Sequence, residues 1–531
     1  MSGRFDDVVI GAGANGLVAA AVLARAGRKV AVLDRAAVSG GQSRLLEFAP
    51  GFRAAPLGLD AGWLPEPVAR DAGIERPAPV TQDTPLSVAA GPGRFLTLSR
   101  DVARATEAIR TLSAPDAARW PAFTTRIHRL AGFLSALYVM PAIAIDTRDP
   151  GELVALAALG RRFRSLGRTD MIELLRTLPM SVWELMDDTF ECAPLKAAIA
   201  AGGMQEVRQG PRSGATGFAL LHHLVGASQG SMRGRAPWRR GPSAFTDAAE
   251  AAARRAGATL RFDAGVARIR VHDDAAAGVT LESGEEIDAS SVLSTADPAR
   301  TLLEWVDPVW LDPEFAHAVG NIRHRGSTAF VMYALDALPA FSGLESGALA
   351  GTVSLTSELT ALERAADAAK YGTVPERPHV EITVPSLLWP ELAPAGKHVL
   401  VARVQHAPYM LRDGTRWDTG RAEELARSVE RAIEGVASGF ASAVRSRRIL
   451  TPADLEREFG LREGAASQGE LGLDQILFMR PVAGWGRHAT PIVGLFLGGA
   501  GTHPGPGVLG APGWLAARRM ISEARRARRE A

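Results

Sequence analysis

Three short stretches carry residue types whose spacing could do chemistry. In the first, Val8-Val9-Ile10 runs into Gly11-Ala12-Gly13-Ala14-Asn15-Gly16, a GxGxxG turn behind an apolar run. Gly11 suits the tight turn, Gly13 lets the backbone approach a pyrophosphate, and Gly16 lets the following helix pack close to its sheet. The start of that helix, at Ala14 and Asn15, offers unpaired N–H groups and the positive end of a dipole to phosphates. Gly27 caps the helix, and a second apolar run covers Val30–Leu33. Asp34 then stands where a carboxylate accepts hydrogen bonds from a ribose diol. Strand, glycine turn, helix, strand and acid together predict a dinucleotide site, and they serve NAD and FAD alike.

The second stretch, AVSGGQSRLLEFAPGFRAAP, brings a further glycine pair, Gly40-Gly41, followed by Gln42. The third, GLFLGGAGTHPGPGVLGAPGWLAARR, opens as a strand at Leu495–Leu497 and closes as a helix with Pro512 in its first turn. Glycines and prolines constrain the backbone between them, so a rigid loop and a helix start fall at one edge of the dinucleotide domain. A helix start stabilises nearby negative charge by about 0.3–1 kcal/mol. His503 is the one histidine in that loop. It reads as a brace that holds the loop by hydrogen bonding, or as a proton-transfer group; bracing is the simpler role. The adjacent His222 and His223 read as packing residues. The eleven histidines form no metal-spaced cluster, and no nucleophile elbow accompanies any serine, so neither a metal site nor hydrolase chemistry is predicted.

The elements that must position these stretches fall into two kinds. From residue 76 to about 234 the apolar spacing is helical, with helices expected over Arg100–Leu112, Ala117–Leu137, Leu153–Leu166 and Met171–Leu185. A second α/β block follows Trp238: a helix, strands at Thr259–Phe262 and Val266–Val271, and another at Ser291–Ser294. No second GxGxxG accompanies it, so a dedicated NAD(P) domain is not expected. Beyond residue 301, STAFVMYALDALP and RPHVEITVPSLLWPELAPAGKHVLVARVQHAPYML alternate apolar and polar positions like strands of a half-buried sheet, able to wall a tunnel for an apolar substrate.

These motifs resemble the phytoene desaturase-like flavoproteins of the amine-oxidase and carotene-desaturase superfamily. The likeness is strongest to the branch that holds the carotenoid ketolases and the pyridine nucleotide-disulphide oxidoreductase domain-containing 2 proteins. It rests on GAGTHPGPGVLGAPGWLAAR, ERPHVEITVPSLLWPELAPAGKHV, GELGLDQILFMRPVAGW and VLSTADP, and it spans essentially the whole chain. The resemblance implies an α/β fold: a Rossmann-type FAD-binding domain from residues 1–75, 235–300 and 478–531, interleaved with an α+β substrate domain from 76–234 and 301–477. It implies non-covalent FAD, with binding roles for Arg35, Gly40, Gly41, Gln42, the Val266 backbone, Gly499, Ala500, Gly501, Gly507 and Val508 beside the residues of the first turn. The activity implied is desaturase-like hydride transfer from a C–H bond of a carotenoid, isoprenoid or other lipophilic substrate. Isomerase, ketolase or amine-oxidase chemistry are alternatives, as is a flavin-free scaffold of the GDP-dissociation-inhibitor type. Only four tyrosines are present, few for an amine oxidase's aromatic cage. Gln42 replaces the usual arginine after the glycine pair, with Arg44 a substitute cation or the contact simply neutral. Two departures bear on substrate choice: Pro506 and Leu509 replace a glycine and a serine, and Ser467-Gln468 stand where relatives often carry histidine.

Bulk properties set the outer limits. At 531 residues the chain exceeds one hydrophobic core, and a net charge of +2 leaves no nucleic-acid footprint. The single cysteine, Cys192, excludes an internal disulfide and a multi-thiolate metal site and fits a reducing, cytoplasmic compartment. A strand entered by Val8 leaves no room for a signal peptide. The most apolar run, Leu130–Ile145, is broken by Pro141 and falls short of the roughly 18–20 residues that span a bilayer. It reads as a buried helix and turn, or as a surface that dips into a membrane to collect substrate. The basic end of the last helix suits solvent or lipid headgroups.

Overall fold

The computed structural model describes residues 4–143, 147–412 and 414–530. Two seven-stranded sheets organise it. In the first, Phe5–Ile10 lies between Val30–Leu33 and Glu286–Ser294, all parallel, with Thr259–Arg261 outside Val30–Leu33. The Glu286–Ser294 strand does two jobs. Its first residues pair antiparallel with Ala275–Leu281, which in turn pairs with Val266–His272; its last three pair parallel with Leu495–Leu497. The strand expected at Ser291–Ser294 is therefore the end of a longer one.

The last helix, Ala511–Glu530, packs on the first, Ala14–Arg25. A Cβ on Gly513 would lie 2.0 Å from the Asn15 carbonyl oxygen. Such an approach needs a residue without a side chain. The last helix thus closes on the first through such a glycine contact, while Leu495–Leu497 joins the first sheet beside Val292–Ser294.

The second sheet runs Val444–Leu450, Thr328–Leu335, His398–Gln405, His379–Thr383, Thr352–Ser354, Leu86–Gly91, Arg94–Leu98. The segment expected to be largely helical thus contributes a hairpin to this sheet, with Leu86–Gly91 joining Thr352–Ser354 in parallel. The expected half-burial fails at Thr328–Leu335, where all eight residues are buried. Its alternation separates two cores rather than core from water. Ala329, Val331 and Tyr333 pack with Leu425, Val429 and Phe440 on one side, while Phe330, Met332 and Ala334 pack with Phe52, Trp389 and Leu455 on the other.

The cover of each sheet is drawn from several stretches of chain. Leu302, Phe315, Val319 and Ile322 pack on Val8, Val292 and Leu495, so the first sheet keeps its cover past residue 300. Conversely, Phe52 and Ala54 belong to the core of the second sheet. A strand face is covered by whatever apolar surface reaches it, whichever stretch of chain supplies it.

Among the helices, Met171–Leu185 is not one but two, Gly167–Thr177 and Val182–Asp187. Pro179 has no N–H to continue the first helix, and its carbonyl accepts from Ala215 N–H at 3.0 Å. Ser181 and Glu184 then start the second helix with a capping box. Leu130, Leu134 and Tyr138 form the buried end of the Ala114–Tyr138 helix; Ala144 and Ile145, which end the most apolar run, lie outside the described residues. Among the described residues no helix is long and apolar enough to cross a membrane.

Candidate functional site

A cavity of about 690 Å³ runs from the first glycine turn, past the second glycine pair and the C-terminal loop, to the inner face of the second sheet. At its first end Gly13 is the N-cap of the Ala14–Arg25 helix, with no side-chain cap and no acidic residue in the first turn. The helix's first N–H groups therefore keep their capacity for an anion. Gly41, with φ of 54°, faces Gly13 so closely that a Cβ on it would sit 3.0 Å from the Gly13 Cα. The Asp34 carboxylate accepts from the N–H groups of Ala12 at 2.6 Å and Ala36 at 2.8 Å. Each oxygen retains a second lone pair, enough for a ribose diol. Glycine cradle, open helix start and oriented carboxylate fit the adenosine and pyrophosphate half of a dinucleotide.

Of the residues singled out in the sequence, Gly11, Gly13, Ala14, Asn15, Asp34, Arg35, Gly40, Gly41, Gln42, Val266, Ala500, Gly507 and Val508 line this cavity. Four do not. Gly16 is behind the turn, where a Cβ would lie 1.8 Å from the Gly11 carbonyl oxygen; its role is packing. Gly499 and Gly501 back against Thr295, Pro298 and Gln468. His503 is buried outside the lining, its Nε2 3.1 Å from the Leu137 carbonyl oxygen and 3.0 Å from that of Met140. A carbonyl only accepts, so this nitrogen carries the proton, and burial lowers the ring's basicity. His503 braces the loop against the Ala114–Tyr138 helix.

Arg44 is not among the cavity-lining residues: its guanidinium stacks on Phe459, which is, 5.0 Å from the ring centroid. Gln42 lines the cavity while its Nε2 donates to the Ala466 carbonyl at 2.7 Å. Gln468 receives Gly501 N–H at 2.9 Å and donates to the Thr295 carbonyl at 3.0 Å, tying the GGAG turn to the end of the central strand.

Trp63 and Arg480, which no motif assigned a role, and His222, expected only to pack, hold the C-terminal loop. Trp63 N–H donates to Gly507 and Leu509 N–H donates to Trp63, at 2.8 and 2.7 Å. His222 Nε2 lies 2.8 Å from the Pro506 carbonyl oxygen and its Nδ1 2.7 Å from the Tyr138 hydroxyl. The carbonyl fixes the proton on Nε2, so Nδ1 accepts from tyrosine, and burial pushes this histidine down to about 3. The fully buried Arg480 donates to the carbonyls of Ala500, Gln475, Ser467 and Gly469. The only prior signal for Arg480 was its position in GELGLDQILFMRPVAGW.

At the far end, Phe330, Val401, Leu388 and Trp389 form an apolar wall, and Arg233, Arg403, Glu206 and Glu381 a charged one. Burial works against the Glu381 charge, but the Arg233 guanidinium, helped by His379, holds the carboxyl well below its ordinary value. His223, on the same wall, is kept neutral by burial.

Comparison with known proteins accords with this geometry. Residues 9–68 match the NAD(P)-binding Rossmann-like domain family. A cyclohexylamine oxidase from Brevibacterium oxydans shares the fold, with a TM-score of 0.56 at 14% identity over 98% of this chain and 100% of that one. A hydroxyneurosporene desaturase from Rubrivivax gelatinosus is 26% identical over 94% of this chain and 90% of its own length. The pyridine nucleotide-disulfide oxidoreductase domain-containing protein 2 of Rattus norvegicus is 33% identical, over 97% of this chain and 93% of its own. With a dinucleotide cradle, a C-terminal loop closing on it and likeness along almost the entire length of that relative, the chain belongs to the oxidoreductase family of the pyridine nucleotide-disulfide oxidoreductase domain-containing protein 2.

Proposed function

We propose that the protein is an FAD-dependent oxidoreductase that oxidises a C–H bond of a substrate with a substantial apolar part, the FAD being held non-covalently. The observation that carries this reading is the single cavity that joins the dinucleotide cradle to a partly apolar chamber, with the Gly505–Leu509 loop between them. The bound flavin would supply a two-electron, hydride-accepting centre. The chain's own residues do the rest. Gly13, Gly41 and the helix start hold the pyrophosphate, and Asp34 takes the ribose. Gly507 and Val508 offer main chain to the ring end, held rigid by Trp63, His222 and Arg480. Phe330, Leu388, Trp389 and Val401 exclude water from the apolar part of the substrate and orient it.

Desaturation is the form of this chemistry favoured by the resemblance, and carotenoids or other isoprenoids are the substrates it suggests. Peripheral contact with a membrane, from which an apolar substrate could be drawn, belongs to the same proposal. The test is an absorbance spectrum of the purified protein, repeated on the supernatant after heat denaturation. A flavin spectrum recovered as free FAD is the expected result. A colourless protein that takes up no added FAD would overturn the reading.

A further inference from the structure

The inner face of the second sheet changes character within one strand. Successive inward residues of His398–Gln405 are Val399, Val401, Arg403 and Gln405, and those of the neighbouring strand are His379, Glu381 and Thr383. Glu381 stands opposite Arg403, and His379 opposite Gln405. These side chains face the helical layer rather than bulk water. Gln405 Nε2 donates to the carbonyls of Met204 and Val207 at 2.8 and 2.7 Å, clamping the intervening turn onto the sheet. Gln205 Oε1 accepts from Arg403 Nη1 at 3.2 Å. The next residue, Glu206, is held at φ 59° on the cavity wall. A non-glycine residue is strained there, so the clamp holds the Glu206 side chain in place.

The charges on this wall are not all paired. Arg233 and Glu381, with side chains 7% and 8% exposed, pair with each other, and Arg235 pairs with Asp60 at 3.3 Å. Arg403 forms no ion pair among the described residues; one guanidinium nitrogen meets a neutral amide, and Nη2 has no partner. Nε and Nη1 of Arg233 are likewise unpartnered. Burial pushes the Glu206 carboxyl up, against the pull of Arg403. Guanidinium nitrogens shut off from water and left unpartnered in this way are unfavourable unless an acceptor completes them. Immediately alongside lies apolar surface. Phe330 stands opposite Arg403 on the adjacent strand, and Val401 is one inward position away, about 7 Å along the strand.

We propose that the substrate is an amphipathic monocarboxylate, an apolar body with one carboxylate head, and that Arg403, beside Glu206, is the specificity residue that receives the head. This rests on the oxidoreductase reading of the same cavity. A planar carboxylate matches the guanidinium fork. A dianionic phosphate would meet Glu381 in addition, and an ammonium would meet an unpaired cation, so both fit worse. A pure hydrocarbon would leave the guanidinium without a partner.

The test uses the full chain loaded with FAD, its flavin content read by absorbance, in calorimetric titrations below micellar concentrations. The probes are oleate and farnesoate, each beside its methyl ester and its primary alcohol. An acid should bind at least tenfold tighter than its neutral counterparts. Arg403→Met should weaken acid binding at least tenfold and change ester binding less than twofold; Arg403→Lys, which keeps the charge without the fork, should fall between. Equal binding of acid and ester, no binding of either acid, or undiminished acid binding by Arg403→Met overturns the proposal. Should Arg403→Met fail to fold, the wild-type comparison and Arg403→Lys decide. An FAD-loaded protein that ignores the carboxylate sinks the substrate class alone, whereas acid selectivity in a chain that takes up no FAD sinks the oxidoreductase reading alone.

Discussion

Glycines of one motif do different work, and the first turn separates them. Gly13 has φ −83°, and a Cβ there would meet nothing nearer than the Gly41 Cα at 3.6 Å. An alanine is therefore tolerated by the fold but occupies the space offered to a pyrophosphate. Gly13→Ala should leave the thermal midpoint within about 1 °C of wild type, the shift of about 1 kcal/mol in a chain this size. It should lower FAD affinity at least tenfold, or about 1.4 kcal/mol. At Gly16 the added methyl would strike the Gly11 carbonyl oxygen at 1.8 Å. Gly16→Ala should therefore destabilise the apoprotein, by about 1–3 kcal/mol as overpacking does. Melting curves and flavin titration of both variants check this; wild-type FAD affinity in Gly13→Ala would mean that the pyrophosphate lies elsewhere.

Among elements, the second sheet shows how a period of two can serve three environments. Thr328–Leu335 sends alternate residues into two apolar cores, whereas His379–Thr383 sends Val380 and Ile382 into one of those cores and Glu381 onto the charged wall. The Arg233–Glu381 pair ties this strand to the helical layer. Glu381→Ala strips a buried guanidinium of its partner and should cost about 3–5 kcal/mol in denaturant unfolding. Removing both charges, as in Arg233→Met with Glu381→Leu, should cost less than Glu381→Ala, because no unpaired ion remains. A double variant weaker than the single one would show that the pair holds the layers by more than its charges.

Over the whole molecule, interleaved segments bury histidines that the unfolded chain would expose. Burial pushes His222, His406 and His488 down to about 3, against about 6.5 when unfolded. Between those values the unfolded chain binds protons that the folded chain refuses, so stability from these groups is complete above about pH 7 and falls as pH drops. Each histidine removes up to about 1.4 kcal/mol per pH unit in that window. Thermal midpoints at pH 7.5, 6 and 5 should therefore decline progressively; a midpoint that holds down to pH 5 would show these histidines to be protonated in the fold. Residues from both ends and the middle of the chain build the first sheet, which makes this cooperative response a property of no single segment.

The sequence by itself determined the local grammar. GAGANG with Asp34, the strand at Leu495–Leu497 and the helix begun near Pro512 were legible because turn, cap and strand signals depend on neighbouring residues alone. The break at Pro179–Ser181 was legible in principle as well, since proline and a capping box are local signals. Tertiary structure alone decided which face of each strand meets a second core, a cavity or water. Alternation in HVEITVP states that two faces differ but not what lies against either. It also decided that Gly16, Gly499 and Gly501 pack while Gly13 and Gly507 line the cavity, and that His503 braces the loop. Arg403 and Glu206, far apart in sequence, became one site because Gln405 clamps a turn from the helical layer onto a strand from the other half of the chain. Such contacts depend on packing between segments that no local pattern encodes.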